Sequence, residues 1–262
     1  MKNRIVIFVV FVCCLWTMPG IVRAQLSVHQ FDQLMKKIDD VLWYEKVGDI
    51  AHVDKVILCG PPRWKESNPT SMSAGNELKF RAYIFIPKSV KENKKYPLIV
   101  FPHSGVHADM DTYYAHIIRE LIAQEYIVVA ADYRGSTGYG AGTYNNIDYG
   151  GLENEDVYIS RNYMVDNFDI VDGSRVGIMG WSHGGMITLM NLFNYPGQYK
   201  CGFAGVPVSD VIMRMGCQRQ LSQNLLGQES YRADCQGQYC GIQTALSCVA
   251  CGEVERSVTY LY

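Results

Sequence analysis

The sequence predicts an α/β fold with a mostly parallel sheet and helices on both faces. Three observations carry this expectation. From Tyr96 onward, short continuous apolar runs alternate with amphipathic stretches, as in strands buried on both faces and joined by helices. One run, Val176 to Met179, ends in Gly180-Trp181-Ser182-His183-Gly184 and leads straight into a helical pattern of Met186, Ile187, Leu189, Met190, Leu192 and Phe193. His103, Asp132 and Ser182 all stand at the ends of apolar runs, where the active loops of a parallel sheet gather.

Bulk properties fit this class. The 262 residues suit one α/β domain, and a hydrophobic content of 48% can supply its core. A formal charge of -2 with no basic stripe excludes a nucleic-acid footprint.

Taken in order, residues 1–24 read as a secretory signal peptide. Lys2 and Arg4 open it, Ile5 to Trp16 is apolar, Pro19-Gly20 breaks the run, and Val22-Arg23-Ala24 offers a cleavage site. The expected mature chain starts at Gln25, is exported to the periplasm or beyond, and keeps no stable membrane span. Residues 25–77 form an extension. Phe31, Leu34, Met35, Ile38, Val41 and Leu42 recur at helical spacing, with Lys36, Lys37, Asp39 and Asp40 on the other face. Val53 to Leu58 reads as a strand, and residues 63–77 as a loop.

Leu78 to Ile86 alternates as a half-exposed strand, expected to pair with the preceding one as an antiparallel edge. Tyr96 to Phe101 is the first buried strand. Asp109 to Gln124 is a helix with Tyr113, Ile117, Leu121 and Ile122 inward, and Tyr126 to Ala131 is the second buried strand. A Gly/Tyr-rich loop spans 134–151. Leu152 to Phe168 reads as a helix with Asp156, Arg161 and Asp166 outward. Arg175 to Met179 and Cys201 to Val208 complete four parallel strands.

The strand, sharp turn and helix around Ser182 are those of a nucleophile elbow. Small residues at 180 and 184 let strand and helix approach closely. Ser182 then projects beside a helix N-terminus, where the His183 N–H can help stabilise an oxyanion. At the end of the first parallel strand stands Phe101-Pro102-His103-Ser104-Gly105. Its backbone at Ser104 and Gly105 can supply a second oxyanion donor, or it is a plain turn with packing histidines. Asp132 and Arg134 can brace the site as a buried pair, or form a purely structural one. The run is no phosphate loop, because no Gly-Lys-Ser/Thr follows.

Three segments together resemble the catalytic domain of the prolyl oligopeptidase family of serine peptidases. They are Asp132-Tyr-Arg-Gly-Ser-Thr-Gly-Tyr-Gly140, Gly180-Trp-Ser-His-Gly-Gly185 and Ala204-Gly-Val-Pro-Val-Ser-Asp210. The resemblance covers about residues 78–216. It implies an α/β-hydrolase fold, with Ser182 as nucleophile and His183 N–H plus the 103–105 loop as oxyanion hole. It also implies acyl transfer from short peptides through an acyl-enzyme, with no cofactor and no metal.

Three departures qualify it. Many members have His-Gly-Gly where this chain has His103-Ser104-Gly105, and a positive φ at Ser104 would cost about 1 kcal/mol. Many also carry a β-propeller, for which 25–77 is far too short. Most importantly, the base and acid of a triad follow the serine on this fold. After Ser182 the only histidine is His183, inside the elbow; His29, His52, His103, His107 and His116 lie upstream. The downstream acids are Asp210, Glu229, Asp234, Glu253 and Glu255. Only His103 or His107 is placed to substitute as base.

Residues 217–262 break the pattern, with five Cys, seven Gln and no Lys, Pro, His, Phe or Trp. Cys235, Cys240, Cys248 and Cys251 suggest a zinc site or a small disulfide knot, but the patternless surroundings favour incidental cysteines. The segment is expected to lie outside the fold and leave the C-terminal part of the sheet incomplete. It adds one short strand at most, between Val254 and Tyr262. A frameshift near codon 216 or 217 would produce such a break. The expectation is therefore a serine peptidase by family whose own activity is in doubt. An esterase-like hydrolase and a non-catalytic binding protein on the same fold are the alternatives.

Overall fold

Residues 27–61, 78–210 and 258–261 are described by a computed structural model of the chain. The proposed signal segment, the 63–77 loop and most of the Cys/Gln-rich tail lie outside the described residues.

Ser27 opens helix α1 (Val28–Val47) with a capping box. Its side chain accepts from Gln30 N–H while the Gln30 side chain accepts from the Ser27 N–H. The helix is seated the opposite way round from its apolar pattern. Lys36, Trp43 and Val47 are buried, whereas Phe31 is 53% and Val41 69% exposed, with Leu34, Met35 and Ile38 close to half exposed. The reason is that the polar face has specific partners in the core. Lys36 meets two carboxylates there, and Asp39 Oδ1 accepts from Thr112 N–H and from its hydroxyl at 3.0 and 2.6 Å.

Strands β1 (Ala51–Gly60) and β2 (Leu78–Pro87) pair antiparallel, as expected, from Ala51–Pro87 to Gly60–Leu78. β2 runs antiparallel to β4 (Ile127–Asp132), which is parallel to β3 (Tyr96–Val100). β5 (Val171–Trp181) and β6 (Cys201–Gly205) continue the parallel part. β7 (Val258–Leu261) pairs parallel with β6, giving the order β1-β2-β4-β3-β5-β6-β7. This is the one short strand that the sequence allowed between Val254 and Tyr262, and it covers the edge beside Cys201–Gly205. The remainder, 211–257, is outside the described residues.

A 3₁₀ turn (Thr112–Tyr114) leads into α2 (Ala115–Ala123), where the sequence predicts one longer helix. Asp111 caps the turn and leaves Tyr113 outside at 78% exposure, so the expected inward Tyr113 is replaced by Tyr114 and Ala115. A short α3 (Ala141–Tyr144) interrupts the Gly/Tyr-rich loop before α4 (Leu152–Asn167) and α5 (His183–Asn194).

Two cores result, one on each face of the sheet. Trp43 and Val47 of α1 and Ile118 and Ile122 of α2 pack on Tyr83, Phe85, Val128 and Ala130. Val157 and Met164 of α4 and Ile187 and Leu192 of α5 pack on Phe80, Ile84, Leu98, Val129 and Ile178. The period of two along each strand sends alternate residues to opposite cores. In α4 the expected outward Asp156 and Arg161 are buried instead, because each finds a polar partner inside.

Candidate active site

Ser182 sits between β5 and α5 at φ 55° and ψ -115°. A non-glycine residue in such a region costs about 1–3 kcal/mol and persists only where its surroundings enforce it. They do so here. Ser182 N–H donates to Gly205 O at 3.0 Å, and Ser182 O accepts from Met186 N–H and Val208 N–H at 3.0 and 3.2 Å. A Cβ on Gly180 would lie 2.5 Å from Gly184 O, and one on Gly184 would lie 2.6 Å from His103 O. The two glycines thus let strand, helix and the 103 loop meet at one point. The elbow is the sequence-predicted one, and the His183 N–H at the head of α5 donates to no oxygen among the described residues.

The second predicted oxyanion donor is differently placed. Ser104 N–H donates to the Tyr114 hydroxyl at 3.2 Å, and Ser104 Oγ lies 2.7 Å from the same oxygen. Ser104 is absent from the positive-φ residues, while Gly105 has φ 83°. The feared strain at Ser104 therefore does not arise, and the glycine that the turn requires is present. Gly105 O accepts from the Tyr133 hydroxyl at 2.9 Å, which fixes the loop from below.

No imidazole reaches the nucleophile: among the described residues, the Ser182 hydroxyl has no hydrogen-bond partner. His103 is fully buried, stacked on Tyr133 at 4.2 Å. Its Nδ1 lies 3.0 Å from Ser104 O and its Nε2 2.9 Å from Ser136 Oγ. Burial holds its pKa below the ordinary value despite Asp132. His107 bonds Gly135 O through Nδ1 at 2.9 Å and stacks on Tyr144 at 3.7 Å. The His183 ring is buried with Nε2 3.4 Å from Glu153 Oε1, but without hydrogen-bond geometry. All three histidines are thus engaged in packing the loops.

Asp132 and Arg134 do not pair with each other, which corrects the expected brace. Arg134 forks onto Asp156 of α4, with Nε and Nη2 each 2.8 Å from a carboxylate oxygen. Burial pushes the Asp156 carboxyl up, and Arg134 only partly offsets this. Asp132 instead takes Lys36 of α1 at 3.1 Å, Met110 N–H at 2.6 Å and the Tyr139 hydroxyl. Lys36 also pairs with Asp109 at 2.7 Å and donates to Met110 O at 2.6 Å. Burial alone would lower the Lys36 pKa, but Asp132 and Asp109 together hold it above the usual lysine value. Sequence reading missed Lys36, Asp109 and Asp156. The one available signal was spacing: Lys36, Trp43 and Val47 share a helix face.

Among the described residues no group of His, Cys, Asp and Glu has the spacing of a metal site, and no helix is long and apolar enough to cross a membrane. The predicted zinc alternative rests on cysteines outside those residues.

The sequence profile of the prolyl oligopeptidase family matches residues 112–238. The chain carries a prolyl oligopeptidase family segment. The match runs past Gly216, where the sequence resemblance was expected to end. The mouse acylamino-acid-releasing enzyme is 27% identical over 144 residues, which are 53% of this chain and 19% of that protein. Human dipeptidyl peptidase 8 is 30% identical over 135 residues, 48% of this chain and 15% of its own length. The chain therefore spans about a fifth or less of the length of the curated relatives it matches. Among solved structures, Pyrococcus horikoshii acylaminoacyl peptidase superposes with a TM-score of 0.57 at 16% identity, covering 84% of this chain and 33% of that one. A puromycin-hydrolysing peptidase of Mycobacterium tuberculosis gives 0.57 at 18% identity, with 80% and 35% covered. These likenesses show the α/β-hydrolase fold.

Proposed function

We propose that this chain carries the nucleophile half of a serine peptidase site acting on short peptides through an acyl-enzyme on Ser182. The observation that supports this best is the elbow itself: a serine held at positive φ at the head of a helix, with the His183 N–H open beside it. In the forward reaction Ser182 Oγ attacks the scissile carbonyl, its proton passes to a base, and the oxyanion collects on the His183 N–H. The relatives named for releasing acylamino acids and dipeptides support peptides, over simple esters, as the substrate class. Among the described residues no base stands at Ser182. His103 and His107 are committed elsewhere, and the sequence offers no histidine beyond His183 on the C-terminal side. Without a base, what remains is the residual rate of an oxyanion hole and a binding surface.

The test is a fluorophosphonate probe on the full chain. Slow labelling that disappears in Ser182→Ala fits a nucleophile without its base. Rapid labelling abolished by His103→Gln or His107→Gln would overturn the assignment of those side chains to packing. Reading the coding DNA past codon 216 in the other two frames tests the frameshift directly. A family-like strand followed by an Asp and a His in either frame would establish it.

We further propose that the chain is exported and begins at Gln25 after cleavage. The positive start, the short apolar run and the Val22-Arg23-Ala24 site support this. N-terminal sequencing of exported protein checks it, and material starting at Met1 contradicts it.

A further inference from the structure

A groove of about 460 Å³ opens between α1, the outer strands β1 and β2, and the Gly138-Tyr139 turn. It stands apart from Ser182. Arg81 of β2 is in register with Asp132, the last residue of β4, so the groove lies at the same edge of the sheet as the elbow. Three strand spacings separate β2 from β5, about 14 Å.

Its lining is dominated by cations: Lys36, Lys37, Lys55 and Arg81, with Asp40 the one carboxylate. The acids nearby are already spent. Asp40 Oδ1 accepts from Lys55 Nζ at 2.7 Å and from the Tyr83 hydroxyl. Asp109 and Asp132, behind the groove wall, hold Lys36. Counting those two with Asp40, three carboxylates answer four cations. The excess sits at the mouth, where neither Arg81 nor Lys37 has a hydrogen bond or ion pair among the described residues.

Arg81 is also held ready. Its guanidinium carbon lies 5.0 Å from the centroid of the Tyr139 ring, and Tyr139 is anchored through its hydroxyl on Asp132. The other side of the groove is built in the same way. Lys55 Nζ lies 4.9 Å from the Tyr139 ring and 4.6 Å from the Tyr83 ring. A stacked guanidinium loses little freedom on binding and offers paired N–H donors to two oxygens at once. Asp40 answers Lys55, and Asp109 and Asp132 answer Lys36, so the cations left for an incoming anion are Arg81 and Lys37. Burial lowers the Lys55 pKa; the Asp40 hydrogen bond and the Asp132 charge offset this only in part, and the Lys36 charge works against them.

We propose that this groove is a binding site for a small oxyanion group, a carboxylate or a phosphate. Arg81 is its fork, Lys37 and Lys55 its flanking charges, and the Gln33 amide a neutral donor at the rim. The apolar walls, Ile57 and the Tyr139 ring, accommodate carbon attached to the anion. The oxyanion chemistry is common to a free inorganic ion and to the C-terminal carboxylate of a peptide.

Calorimetric titration of the full chain with inorganic phosphate, at pH 7 and constant ionic strength, tests the site. Saturable binding is expected, weakened about tenfold in Arg81→Gln and less in Arg81→Lys, which keeps the charge but not the fork. Lys37→Gln, at an exposed side chain, should weaken binding about two- to fivefold without touching the fold. If Arg81→Gln does not fold, Lys37→Gln decides alone. No saturable heat with the wild-type chain, or equal binding by wild type and the folded variants, overturns the proposal. A tetrapeptide with a free C-terminus and its amide identify the source. Displacement of phosphate by the acid form alone assigns the site to a peptide carboxylate, and displacement by neither assigns it to the free ion.

Discussion

Lys36 shows how one side chain can reverse a helix. A lysine with its side chain 2% exposed is tolerated only because Asp109 and Asp132 neutralise it and Met110 O takes a third contact. Removing one partner of such a cluster leaves uncompensated buried charge, which costs about 3–5 kcal/mol. Lys36→Met is therefore expected to lower the unfolding free energy by that amount, read as a lower urea midpoint at unchanged slope. Adding Asp132→Asn should restore part of the loss, because the orphaned carboxylate goes with it. Two independent, additive losses would show that the pair is not coupled. At the same scale, Ser182, Gly180 and Gly184 were legible in the sequence, since each position admits so few residue types. Asp132 and Arg134 were legible as buried but not as partners of Lys36 and Asp156. Charge pairing across 22 or more residues leaves no local pattern to read.

Among the elements, the strands were read well and the first helix was read inside out. β1 through β6 stand where the apolar runs place them, but β2, read as half-exposed, is covered on both faces, because Tyr83 and Phe85 pack under α1. In α1 the largest apolar stripe faces away from the core, and hydrophobic periodicity reports only that a stripe exists, not what covers it. The consequence is measurable. Phe31→Ser and Ile38→Gln, core substitutions by sequence pattern, are expected to change stability by no more than about 0.5 kcal/mol. Trp43→Ala, whose ring packs 4.9 Å from Phe85 and is fully buried, should cost about 3–5 kcal/mol. Chemical denaturation of the three variants checks the order, and a large loss at Phe31 would place that face against the body. β7 was the least legible strand, because its pairing with β6 comes from far along the chain and lies in a segment of no regular period.

For the whole molecule, the titrating groups give stability a signed dependence on pH. His103 and His107 are held below the usual histidine value by burial. An unfolded chain takes up protons on both near pH 6.5 while the folded chain does not, so their contribution is lost as pH falls through that value. Asp109 is held low by Lys36 against the effect of burial, and Asp172 is held down to about 2 by Ser174 and Arg175. Their contribution is complete above about pH 4 and disappears as pH falls towards 2. Asp156, raised by burial, acts in the opposite sense as pH falls from above towards the ordinary carboxyl value. Urea midpoints measured from pH 7 to 2 should therefore drop first between 7 and 5 and again below 4. A flat response from pH 7 to 5 would show that the two imidazoles are not buried as described.

The two ends of α1 answer to different physics. Around Lys36, Asp39 and Asp40 the helix is clamped by charge and hydrogen bonds; around Trp43 and Val47 it is glued by apolar contact. Apolar adhesion weakens on cooling, whereas carboxylate pairing fails on protonation. Chilling the protein should thus peel the helix from its C-terminal end, and acidifying it should peel the same helix from its N-terminal end.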